Sequence, residues 1–127
     1  MKSDRELLEL AAKAYGFGDP EGSFIWTESE YPRGSKTSGA LWNYIGWCDT
    51  AELWNPLTDD GDALRLAVTC KIALNPTLVD GLNRDLHESA AGGVNRWTDC
   101  REKHNGDPFA ATRRAIVRAA AKIGRVM

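Results

Sequence analysis

A chain of 127 residues, 43% hydrophobic and 27% charged, is long enough to bury roughly two-thirds of the surface its unfolded form exposes, and too apolar to stay disordered. Its 16 basic and 18 acidic residues leave a net charge of -2, which excludes a general attraction to nucleic acid or anionic lipid and leaves only local asymmetry to supply one. No stretch nears the roughly 18 apolar residues of a membrane span, and MKSDRELLEL carries neither the apolar core nor the cleavage site of a signal peptide. Cys48, Cys70 and Cys100 are an odd set without a CxxC, which argues against a disulfide framework. The expectation is one soluble domain over residues 1–127, in the cytoplasm.

The first helix is marked by a capping box, Ser3 with Glu6, and by Leu7, Leu8, Ala11, Ala14 and Tyr15 at helical spacing before Gly16. It is predicted from about Asp4 to Tyr15. Ser23 to Glu28 (SFIWTE) and Ala40 to Trp47 are β-branched and aromatic runs separated by the turn-rich YPRGSKTSG, and together predict an antiparallel pair of strands. In WNPLTDDGDALRLAV, Thr58 or Asp59 caps a second helix. Asp60 and Asp62 there complement the helix dipole, and Leu64, Ala67, Val68 and Lys71 follow at helical spacing. Between Ile72 and Gly106 the pattern is weak: Ile72 and Leu74 before Pro76, or Leu78 and Val79 after it, suit a short strand, and Val94 to Cys100 suits another. A third helix over about 108–123 has Asp107 as its cap, Pro108 in its first turn and an apolar stripe of Phe109, Ile116, Ala120 and Ile123. On that register Ile116 is central to the core, Arg114, Arg118 and Lys122 stay in water, and Arg113 lays its stem along apolar surface with its head in solvent.

Three segments, RELLELAAKAYG, WNPLTDDGDALRLAV and DPFAATRRAIVRAAAKIGRVM, resemble the phage ABA sandwich domain, a family of small proteins encoded by bacteriophages and prophages. The resemblance covers both ends and the centre of the chain. It implies an α+β fold, an alpha-beta-alpha sandwich in which a short, mainly antiparallel sheet packs with three helices. It brings no catalytic residue, cofactor or ligand with it.

The side chains themselves offer several constellations. The third helix and its tail bear Arg113, Arg114, Arg118, Lys122 and Arg125 with no acid after Asp107, and Arg114, Arg118, Lys122 and Arg125 share one face. Such a stripe can track phosphates; the plainer reading is a solvated face whose cations complement the helix C-terminus. Asp49, Glu52, Asp59, Asp60 and Asp62 form an acidic block, better read as helix capping than as a site for a hard cation, because it lacks the alternation of a calcium loop. It also stands ready to face the basic helix. Cys100 and His104, with Cys48, Cys70 and His87, do not have the spacing of a zinc finger, and a Cys–His nucleophile pair would need an orienting partner and an oxyanion hole. Trp26, Trp42, Trp47, Trp54 and Trp97 are many for this length; most are expected to fill the core, with one or two exposed as a partner-binding surface.

No phosphate loop, nucleophile elbow or HExxH motif is present. The sequence therefore reads as a phage or prophage accessory protein in the host cytoplasm. It needs no cofactor or metal, and it binds a host or phage protein through an aromatic surface that includes at least one of Trp26, Trp42 and Trp47. The alternatives are a nucleic-acid binder using Arg114, Arg118 and Lys122, and an enzyme without a familiar motif.

Overall fold

A computed structural model describes residues 3–15, 24–27, 40–44, 51–80, 83–92 and 100–126; in 24–27, 40–44, 51–53, 77–80 and 83–87 the backbone alone is described. Its elements, in chain order, are α1 (Asp4–Ala14), β1 (Phe24–Thr27), β2 (Ala40–Tyr44), β3 (Ala51–Trp54), α2 (Asp60–Thr69), β4 (Ala73–Asp80), β5 (Asn83–Gly92), β6 (Cys100–Lys103) and α3 (Pro108–Arg125). The fold is α+β. Among the described residues the strands form two three-stranded antiparallel sheets, ordered β1-β2-β3 and β4-β5-β6.

The helix starts follow local chemistry. Ser3 accepts from the amide of Glu6 while the Glu6 carboxylate accepts from the amide of Ser3, closing the capping box at α1. Gly16, expected to end that helix, lies outside the described residues. Asp59 caps α2 by accepting from the amide of Asp62 at 2.9 Å. Asp62 is itself buried and accepts from the amide of Asn55 and from Arg65. Asn55 accepts from the amide of Leu57 through its side chain, so the NPLTDD segment is a wound loop whose carboxylates act as backbone acceptors. Asp107 caps α3, with Pro108 in its first turn. Immediately before it, Asn105 and Gly106 both take positive φ, and Asp107 donates to the His104 carbonyl at 2.8 Å, a tight turn that aims α3 back over the sheet.

α2 ends earlier than its periodicity suggests. Lys71 enters the left-handed region at φ 55°, and the amide of Ile72 reaches the Ala67 carbonyl, the hydrogen bond of a helix stop usually built on glycine.

The strands are where expectation and structure part. β1 and β2 pair antiparallel within the predicted runs, with Ile25 opposite Trp42 and Trp26 opposite Leu41. β3 was not predicted, because AELW has no β-branched residue. β4 runs through both of the alternatives flanking Pro76. Proline is tolerated there because β4 is an edge strand and the ladder shifts register between Asn75 and Leu78. β5 was also missed: its SAAG end looks helical by composition yet is held between two strands. Of the strand expected over Val94 to Cys100, only Cys100 is described, as the first residue of β6.

α3 lies against α1, α2, β5 and β6, and the residues it buries are mostly small: Ala111, Ala115, Ala119, Ala120, Ala121 and Gly124, with Ile116 and Val117. Small side chains let neighbouring backbones approach. At Gly124 the approach is closest: a Cβ there would lie 2.0 Å from the Leu10 carbonyl oxygen of α1. One hydrophobic cluster joins Leu7, Leu8 and Ala11 of α1, Trp54 of β3, Leu66 of α2, Ala91 and Cys100 of the second sheet, and Ile116 and Val117 of α3. Tyr15 stacks at a tilt on Trp54, with ring centroids 5.8 Å apart.

Two predicted helix faces are corrected. On α2, Leu64 and Val68 point to solvent while Ala63, Leu66 and Ala67 are buried. On α3, Ile116 and Ala120 are buried as expected, Ile123 is partly buried, and Phe109 is 67% exposed. The stripe predicted from Phe109 to Ile123 fails at its first member because the core approaches α3 from several sides, so burial follows close packing of alanines and not one apolar stripe.

Candidate functional site

Two depressions flank α3 on roughly opposite sides, one near its start and one near its end, as the 100° turn per residue places their lining residues. The first is apolar. Ala63 and Ile116 line it at the core, Leu64, Leu74 and Phe109 stand exposed around it, and Asp60, Arg113 and His104 supply the polar groups, enclosing about 450 Å³. Three elements converge here because α2 and α3 are tied by Arg113. Its guanidinium donates to the Leu57 carbonyl through Nε at 2.8 Å and to Asp60 through Nη1 at 2.6 Å. The head expected in solvent is thus spent on the α2 entry loop. Among the described residues the acidic block meets the basic helix through the Arg113–Asp60 pair.

Beneath the same depression, Ser89 of β5, His104 and Thr112 of α3 form a polar cluster. The Thr112 hydroxyl donates to the Pro108 carbonyl at 2.7 Å. Its one hydrogen is committed, so the 2.6 Å contact between Thr112 and Ser89 has Ser89 as donor. The 3.4 Å approach to the Pro76 carbonyl is the weaker claim on that hydrogen. The Ser89 oxygen then accepts from His104 Nε2 at 2.9 Å. A histidine nitrogen that donates to a serine is not placed to take that serine's proton, and Ser89 is fully buried. The cluster ties the second sheet to α3 and carries no nucleophile.

The second depression is basic and encloses about 510 Å³, lined by Leu7 of α1, Glu102 of β6, and Arg114, Arg118, Ala121, Lys122 and Arg125 of α3. The Arg114, Arg118, Lys122 and Arg125 that the sequence placed on one helix face are therefore brought together around one depression. They are not all in open water. Glu102 accepts from Arg118 at 2.5 Å and lies 3.8 Å from Arg114, which also donates to Asp4 at 3.1 Å. Arg118 in addition donates to the Arg101 carbonyl. The two guanidinium groups are half-buried and held, whereas Lys122 and Arg125 are exposed.

The side chains of the predicted aromatic surface, Trp26, Trp42 and Trp47, lie outside the described residues, although the backbone of the first two is described. By register, positions 26, 41 and 54 share one face of the first sheet and positions 25, 42 and 53 the other. Trp47 and Trp97 lie outside the described residues, and Trp54 is buried. Among the described side chains the exposed aromatic ring is Phe109, which sequence reasoning placed in the core. The signal for it was available: Phe109 follows directly on the Asp107–Pro108 start, in the turn of a helix that has least of the protein around it.

Cys100 is fully buried and Cys70 half-buried, and burial pushes the Cys70 thiol up from its ordinary value, which keeps it protonated and a poor nucleophile. Among the described residues no group of three or more His, Cys, Asp or Glu stands close enough to hold a metal ion. No helix among them is long and apolar enough to cross a membrane.

The molecule so defined is an α+β protein with an apolar and a basic depression on either side of its last helix. No protein-family model, curated protein or solved structure matches the chain.

Proposed function

We propose that this chain is a phage or prophage accessory protein that acts in the host cytoplasm by binding another protein, and that the apolar depression at the start of α3 is where the partner docks. The observation that carries the docking site is the grouping of exposed Leu64 (61%), Leu74 (37%) and Phe109 (67%) around one depression. Large apolar side chains left in water beside an apolar hollow mark interaction surfaces more often than chance exposure does. The hollow is open and its outer wall is made of exposed side chains, which suits an apolar anchor from a polypeptide better than an enclosed small molecule. Asp60, 68% exposed, sets the chemistry of the rim: the partner offers a large apolar side chain with a cation beside it.

The phage assignment rests on the resemblance. Each of its three segments covers all or all but one residue of one of the helices α1, α2 and α3. The alpha-beta-alpha sandwich is proposed on the same ground, as the arrangement in which the antiparallel strands and these helices form one domain.

The test compares the wild-type protein with Leu64→Ser/Phe109→Ser as bait in a lysate of the host bacterium, followed by titration of each retained protein after purification. Both substituted residues are exposed, so the variant is expected to fold. A partner that binds the wild type and loses about 30-fold or more in affinity to the variant supports the proposal, that loss being the size of a hot-spot contribution. Equal binding to both baits overturns the site. Wild-type protein that sediments as a dimer while the variant sediments as a monomer overturns the foreign partner in favour of a second copy.

A further inference from the structure

We infer that the basic depression at the end of α3 is a binding site for the phosphodiester backbone of single-stranded nucleic acid. This goes beyond the protein-docking reading and involves the opposite side of the helix.

Arg114, Arg118, Lys122 and Arg125 follow one another by four, four and three residues, so their Cα atoms rise by about 6, 6 and 4.5 Å along α3, a row of about 16 Å. That length exceeds what one phosphate group occupies and suits successive phosphates of a strand. Glu102 does not cancel the row. It takes one hydrogen bond from Arg118 and sits near Arg114, while each guanidinium carries five N–H donors. Its effect is to fix two planar groups in place, which lowers the entropy lost when a phosphate binds. Four cations line the hollow against Glu102 and the Asp4 carboxylate that Arg114 also reaches, so the lining keeps a net positive charge although the whole chain carries -2. Leu7 and Ala121 give the floor an apolar strip against which a sugar or base edge can lie.

The packing of α3 decides which nucleic acid fits. A recognition helix in a duplex major groove must stand proud of its domain. α3 does not: α1, α2, β5 and β6 surround it, and the basic residues sit in a concavity between α1 and β6. A concave strip of cations admits a strand and not a duplex. Among the described residues no aromatic ring lines it, so the charge of the site carries the argument, and binding should be independent of base sequence and sensitive to salt.

Fluorescence anisotropy of labelled oligo-dT tests the inference, with the intact chain titrated at 50 and 200 mM salt. Three phosphates engaged on a single strand correspond to a logarithmic salt slope of about -2, or a roughly 20-fold loss of affinity across that range. Lys122→Ala/Arg125→Ala removes two exposed cations, leaves Arg114 and Arg118 for two phosphates, and should weaken binding at 50 mM salt and bring the slope to about -1.4, a loss of about 7-fold over the same range. Lys13→Ala/Lys103→Ala removes the same charge from exposed positions that do not line the depression, and should leave oligo-dT binding unchanged. Absence of binding at 50 mM salt overturns the inference, as does an equal loss from both double variants. Pyrophosphate or poly-glutamate that binds as tightly as oligo-dT overturns it in favour of a small phosphate or an acidic polypeptide. A duplex that binds more tightly than the single strand refutes the argument from concavity.

Discussion

The two sides of α3 are built by opposite means. Near its start, the helix meets α2 and β4 across apolar side chains, and its one cation there, Arg113, is consumed in holding the α2 loop. Near its end, it meets α1 through backbone-close packing at Gly124, and the cations on that side line a hollow. The difference teaches that charge on a helix says little about its role until its partners are known. Arg113 and Arg118 are five residues apart on one helix; the first is a strut of the fold, and the second is a held guanidinium facing a depression.

Variants can break or sharpen this contrast. The largest effect is expected from Ile116→Ala, which empties the floor beneath the apolar depression and should cost about 2–5 kcal/mol in a denaturant melt; a loss below about 1 kcal/mol would mean the wall collapses to fill the space. Arg113→Ala comes next, at about 1.5–3 kcal/mol, since it deletes a charge-assisted hydrogen bond to the Leu57 carbonyl along with the buried stem. Equal results for Arg113→Ala and Arg118→Ala would erase the distinction between strut and site. For Arg118→Ala the loss should stay under about 1 kcal/mol, because the pair with Glu102 is partly solvated and Arg114 remains beside that carboxylate. Smallest of all is Phe109→Ser, expected within about 0.5 kcal/mol of wild type because the ring is already in water. A thermal scan showing strong destabilisation would return Phe109 to the core.

What could be read from the sequence was what is local. The Ser3–Glu6 box, the Asp59 cap and the Asp107–Pro108 start all depend on residues within a turn of each other, and the structure has them in place. The antiparallel pairing of β1 with β2 was likewise legible from two aromatic and β-branched runs. β3 and β5 were not, because AELW and SAAG acquire strand geometry from the neighbours they pair with and not from their own preferences. The same limit applies to the sites. Arg114, Arg118 and Lys122 were grouped correctly by helical spacing, but Glu102 and Leu7, far away in the chain, could be added only from the fold. Leu64 and Phe109 were assigned inward because apolar periodicity assumes that a helix has a single buried side.

The contact between α1 and α3 has a consequence for how the protein is made. Asp4 and Arg114 are 110 positions apart, and a ribosome adding about 5–20 residues per second takes on the order of 5–20 s to cover that interval. Through all of it Leu7, Leu8 and Ala11 have no α3 to rest on, and the ring they eventually close is a long one whose entropy must be met before the contact gives anything back. The nascent chain therefore carries an unsheltered greasy helix during most of its synthesis, and co-translational chaperone dependence should concentrate there.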